Sequence, residues 1–222
     1  MATQKKGRTS TSPGKKPERT PAQAVLSHLR KEPNDLRKKM LLLGFLSDEL
    51  SRKAGLLFLV GGQAVETYTA GQFTTGDVDV TTTDRKATES LLGRLGFKKE
   101  GMVWLSEKLG IAVHIVGSYP SRTARIRSVE VGPYTVRVVG VEELIIDRLK
   151  AAKFWKSGRD SEQAVVLFNG FRDRIDIDYL RARAREEKVD DILPQVGKTK
   201  GWYGSLKGVG KFSKEDELDE HD

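Results

Sequence analysis

The sequence predicts an α/β (α+β) domain, a mixed sheet flanked by helices and followed by a small helical C-terminal part. Three observations carry this prediction. Short apolar or alternating runs recur at 56–60, 78–82, 102–106, 111–116 and 129–139, with the length and β-branched content of strands. Helical spacing of apolar residues appears at 25–30, 36–52 and 85–95. From Val141 onward the strand patterns stop, and 141–155, 160–169 and 176–186 read as helices.

In chain order, Val25–Arg30 and Leu36–Arg52 are predicted helices, the second with apolar residues at 36, 40, 43, 46 and 50. Leu56–Val60 is a fully apolar strand broken by Gly61-Gly62, and Gln63–Thr69 is a short helix. A strand at Val78–Thr82 precedes a helix at Arg85–Leu95, then strands at Met102–Ser106 and Ile111–Val116. Val129–Val131 and Tyr134–Val139 alternate around Gly132-Pro133, as a hairpin does.

Composition excludes several classes. Hydrophobic residues make up 37% of 222 residues and glycine adds 22 more, which rules out a wholly disordered, collagen-like or coiled-coil chain. No apolar run approaches the roughly 18–20 residues of a membrane span, so no membrane role is expected. Residues 1–23 lack the apolar segment of a signal peptide. Zero cysteines exclude disulfide scaffolds, thiolate zinc sites and thiol catalysis, and fit a cytoplasmic protein.

The net charge of +8 is unevenly spread. Residues 1–22 hold six cations and one anion, and 195–222 hold five lysines and six acids, which leaves +4 for 23–194. The expected organisation is therefore a disordered basic tail at 1–22, a core at 23–140, a helical part at 141–194 and a flexible tail at 195–222. Trp202, Tyr203 and Phe212 lie among lysines in that last segment. There they either stack on bases or dock on the domain.

The chemistry concentrates in Leu59-Val60-Gly61-Gly62, a short helix, and Thr75-Gly76-Asp77-Val78-Asp79. Carboxylates at i and i+2 on a strand share a face, about 7 Å apart along it, and repel each other unless a cation lies between or beside them. Mg²⁺ suits one or two carboxylates completed by water and substrate phosphates. The Gly-Gly pair ends a strand and opens a helix, where backbone N–H groups can approach a phosphate unobstructed. A phosphate cradle beside such a metal site is what phosphoryl or nucleotidyl transfer requires.

Residues 57–82, LFLVGGQAVETYTAGQFTTGDVDVTT, resemble the signature of the DNA polymerase beta-type nucleotidyltransferase superfamily. Val139–Ile145, Arg148-Leu149-Lys150-Ala151 and Arg159-Asp160 resemble later motifs of the branch that holds abortive-infection type nucleotidyltransferase toxins and uncharacterised relatives. The resemblance spans about 57–190 and implies a nucleotidyltransferase-type sheet, with 23–140 as the nucleotidyltransferase-like core. It implies metal binding by Asp77 and Asp79 and nucleotide phosphate binding by Gly61 and Gly62, with Thr75 as the small hydroxyl before the first Asp. Asp160 matches the first acid of a late Arg/Lys-Asp motif. The implied activity is Mg²⁺-dependent transfer of a nucleotidyl group from an NTP, over a two-metal site, to a hydroxyl of RNA, tRNA among them, or of a protein. The branch implies a toxin and an antitoxin partner. The alternative is a catalytically impaired module of the same fold that binds nucleotide, RNA or a partner protein.

Departures from the family pattern mark this chain. Phe73 stands where relatives often carry Arg, and Gln163 where they carry a second Asp. The strand expected to supply a third carboxylate, 111–116, offers only His114 as a polar residue, on the face of Ala112 and Val116. His114 is therefore a candidate base or ligand, or else a hydrogen-bonded histidine of the sheet. On the helix 141–155, Arg148 falls within an apolar stripe of Val141, Leu144, Ile145, Ala152 and Trp155, while Lys150 faces away. A guanidinium in such a stripe needs a partner. Asp160 on the next helix is the expected one, either as a structural pair or orienting Arg148 toward a triphosphate. Arg122, Arg125 and Arg127 guide an RNA acceptor or line a solvated strand. Asp176 and Asp178 are expected to open a helix.

Overall fold

The structure is a computed structural model that describes residues 20–118 and 124–198. Residues 1–19 of the expected tail, Arg122, Trp202, Tyr203, Phe212 and the acidic end lie outside the described residues.

Helices α1 (Pro21–Leu29) and α2 (Asp35–Ser51) lead into strand β1 (Leu57–Leu59), helix α3 (Gly61–Tyr68) and strand β2 (Asp77–Thr82). Helix α4 (Arg85–Arg94) follows, then β3 (Lys98–Glu100), β4 (Val103–Ser106), β5 (Ile111–Gly117), β6 (Ile126–Val131) and β7 (Tyr134–Val139). Helices α5 (Val141–Phe154), α6 (Gly158–Gly170), α7 (Ile177–Glu186) and α8 (Leu193–Lys198) complete the described chain.

The strands form one mixed sheet in the order β3-β4-β5-β2-β1-β7-β6. β2 lies at its centre, antiparallel to β1 and parallel to β5. Alternation along β2 buries Val78 and Val80 completely and leaves Asp77 and Asp79 half-buried on the opposite face. Helix α2 lies directly on the sheet, since a Cβ built on Gly44 would stand 2.4 Å from Cβ of Tyr134 on β7. Leu42, Leu43 and Leu46 of α2 are fully buried, as are Phe58 of β1 and Val138 of β7. Tyr68 fixes α3, donating to the Val139 carbonyl at 2.9 Å and meeting Phe171 edge-on at 5.2 Å.

The helices start where side chains satisfy their first amides. Thr20 and Gln23 form a capping box, so α1 begins at Pro21, two residues inside the stretch expected to be a tail. Asp176 accepts the amides of Asp178 and Tyr179, both at 3.0 Å, so it caps α7 in the manner expected of that Asp-x-Asp.

Several elements differ from expectation. β3 has no apolar residue to announce it: Lys98, Lys99 and Glu100 are exposed on an edge strand, with Lys99 paired to Glu89 at 3.1 Å. α8 continues past residue 194, since Leu193 and Val196 find buried positions. Trp155 does not join the apolar stripe of α5 expected for it. It is 80% exposed, because α5 ends at Phe154 and the stripe that the sequence extended to it ends there too.

Candidate functional site

Three polar side chains converge on one face of the sheet. The parallel register sets Asp77 beside Ala112 and Asp79 beside His114, so the imidazole meets a carboxylate across neighbouring strands. His114 Nδ1 lies 3.3 Å from Oδ1 of Asp79. One ligand atom from each of Asp77, Asp79 and His114 lies within 4.8 Å of the others.

The Gly61-Gly62 turn closes on the same carboxylate. Gly61 has φ +63, and a Cβ there would stand 2.4 Å from Oδ2 of Asp79. Gly62 donates its backbone N–H to Asp79. A Cβ on Gly62 would meet Oγ1 of Thr75 at 3.0 Å. Only glycine fits at both positions without displacing the acid or the threonine.

The electrostatics are those of a strained carboxylate pair. Burial raises the Asp79 carboxyl above the usual range and the neighbouring Asp77 charge raises it further, against the lowering influence of His114 and the Gly62 amide. Nε2 of His114 is buried without a hydrogen-bond partner. Two repelling carboxylates and the ring nitrogen that faces Asp79, Nδ1, form a donor set that fits a divalent cation.

Residues that sequence reasoning missed hold the approach to this site. Lys39 of α2 and Glu66 of α3 are both 3% exposed. Lys39 Nζ donates to the Thr75 carbonyl at 2.9 Å, and Glu66 Oε2 accepts the Thr75 N–H at 3.2 Å. The two charges lie 3.7 Å apart, and Asp35 adds a second carboxylate 3.0 Å from Lys39. The segment before Asp77 is thus clamped on both sides of one residue, Thr75. The signal in the sequence was Lys39 itself, a lysine between Leu36 and Leu43 on an apolar helical stripe.

Arg148 and Asp160 meet each other. Arg148 Nη1 lies 2.8 Å from Asp160 Oδ1 and donates to Gln163 Oε1 at 3.4 Å, while its Nε is buried without a partner. Ser157 hydrogen-bonds the other oxygen of Asp160. The start of α6 reaches the site segment through Arg159, which donates to the Thr74 carbonyl at 2.9 Å. Lys150 pairs with Glu187 at 2.7 Å on the outer side.

Arg125 and Arg127, expected to guide an acceptor or line a solvated strand, instead turn toward the protein. Arg125 pairs with Asp176 at 2.7 Å and stacks 4.1 Å over the Tyr179 ring. Arg127 faces the fully buried Glu142 at 4.0 Å.

No protein-family model matches the chain, and no curated protein matches it in sequence. Among solved structures it is similar to an antigenic nucleotidyltransferase-like protein from Paracoccidioides brasiliensis, at 15% identity and a TM-score of 0.49. That similarity covers 76% of this chain and 94% of the other. Among the described residues no helix is long and apolar enough to cross a membrane.

Proposed function

We propose that this protein is a divalent-cation-dependent nucleotidyltransferase that moves a nucleotidyl group from an NTP to a hydroxyl acceptor. The observation that carries the reading is the cluster of Asp77, Asp79 and His114 against the Gly61-Gly62 turn. Asp77 and Asp79 hold the divalent cation, and Mg²⁺ accompanies the NTP. When bound, the cation lowers the pKa of the acceptor hydroxyl and neutralises charge on the leaving diphosphate.

The chain's own residues supply position. Gly61 and Gly62 leave no side chain between the turn and a triphosphate. Lys39 and Glu66 keep Thr75, and with it the start of β2, at a fixed distance from that turn. In the transfer the acceptor oxygen bonds to the α-phosphorus, the bond to the bridging oxygen breaks and diphosphate leaves, while the acceptor's proton passes to solvent. A polyanionic acceptor such as RNA fits the six cations of residues 1–22.

One observation favours a second reading, a binding module without turnover: His114 stands across from Asp79 where a third carboxylate would complete the acidic set. Both readings share a test on nucleotide binding. NTP with a divalent cation should raise the thermal midpoint of the purified protein, and Asp79→Ala should abolish that rise. Stabilisation that persists in Asp79→Ala, or none in the wild type, counts against the site. Transfer of label separates enzyme from binder.

A further inference from the structure

His114 changes the chemistry of the centre. On its face of β5 the neighbours along the strand are Ala112 and Val116, and Val103 lies opposite on β4. The imidazole therefore has Asp79 as its polar neighbour in the sheet, and its Nε2 is buried with no hydrogen-bond partner. The nitrogen that reaches the carboxylates is therefore Nδ1.

The spacing is that of two ligands in one coordination sphere. Nδ1 and Oδ1 of Asp79 stand 3.3 Å apart. Adjacent donors on a cation with bonds of about 2.0–2.2 Å stand about 2.8–3.1 Å apart in octahedral and about 3.3–3.6 Å apart in tetrahedral coordination. Mg²⁺ takes oxygen donors and keeps its waters, whereas imidazole nitrogen favours first-row transition cations.

We propose that His114 is a metal ligand and that the centre formed with Asp77 and Asp79 selects a first-row transition cation over Mg²⁺. The proposal rests on the reading of Asp77 and Asp79 as metal-holding residues. It assigns the centre a mixed nitrogen–oxygen donor set, with Mg²⁺ left to accompany the nucleotide phosphates.

The test is cation binding by the full chain after chelator treatment, followed by titration calorimetry with Co²⁺ and Mg²⁺ and by pulsed paramagnetic resonance of bound Mn²⁺. The wild type should bind Co²⁺ at least about 30-fold more tightly than Mg²⁺. Its Mn²⁺ should show the ¹⁴N coupling of a coordinated imidazole. His114→Asp should remove that coupling and cut the Co²⁺/Mg²⁺ preference at least about tenfold. Bound Mn²⁺ without ¹⁴N coupling in the wild type would overturn the proposal and leave the two carboxylates as a metal site. Cation binding unaffected by Asp77→Asn and Asp79→Asn together, or no cation binding at all, would overturn both. The resonance measurement uses unaltered protein, so a poorly folding variant does not blunt it.

Discussion

A Cβ placed on Gly61 would stand 2.4 Å from Oδ2 of Asp79, so the turn after β1 and the carboxylate on β2 occupy one shared space. Gly61→Ala is expected to destabilise the fold by about 1–2 kcal/mol through its left-handed backbone. It should also push the Asp79 carboxylate aside and weaken cation binding. Gly71→Ala is the control. Its φ of +89 carries the same type of backbone strain, but nothing lies within 4 Å, so cation binding should survive. Urea unfolding and calorimetry on both variants separate backbone strain from site geometry.

Lys39 and Glu66 make a second prediction. Lys39→Met leaves the Glu66 charge buried, with its nearest cation gone, and should cost about 3–5 kcal/mol. Glu66→Gln keeps an acceptor for the Thr75 amide, so the double variant should recover much of that loss. A double-mutant cycle by urea unfolding measures the coupling, and full additivity of the two losses would contradict it.

Asp79 should oppose stability where it serves the site. Its carboxyl is raised in the fold by burial and by Asp77, so the stability it contributes is present below the unfolded-state pKa and lost as pH rises through the folded one. At neutral pH the ionised group is a cost. Asp79→Asn, measured with chelator present, should melt above the wild type, and added divalent cation should raise the wild type alone. A lower midpoint for the variant under chelation would show instead that the ionised Asp79 stabilises the fold.

The helical end should respond to acid in the opposite sense. The hydrogen bond from Lys150 holds the Glu187 carboxyl below the usual range, and Lys153 does the same for Asp191. Their contribution is present above the unfolded-state value of about 4 and is lost as pH falls through the folded-state values. Thermal midpoints between pH 6 and 3 should fall less steeply in Glu187→Gln than in the wild type.

Local periodicity made much of the centre readable. The i, i+2 spacing put Asp77 and Asp79 on one face, and alternation put His114 on a face it shares with Ala112 and Val116. The apolar stripe of α5 pointed Arg148 toward Asp160, which it meets at 2.8 Å. What stayed hidden depends on contacts between distant segments. Glu66 and Lys39 come together only when α3 and α2 flank the same loop, and Arg125 finds Asp176 across 51 positions. β3 was invisible because its three residues are exposed and charged, held by backbone pairing to β4. A stripe says nothing about where its helix stops, and Trp155 lies just past the end of α5.

Nucleotidyl transfer is read out by incubating the protein with α-phosphate-labelled NTPs, a divalent cation and total RNA. The expected result is label covalently attached to RNA with release of diphosphate, no label from γ-labelled NTP, and loss of transfer in Asp77→Ala. Absence of label on RNA or on any protein acceptor, with Mg²⁺ and with transition cations alike, would contradict it.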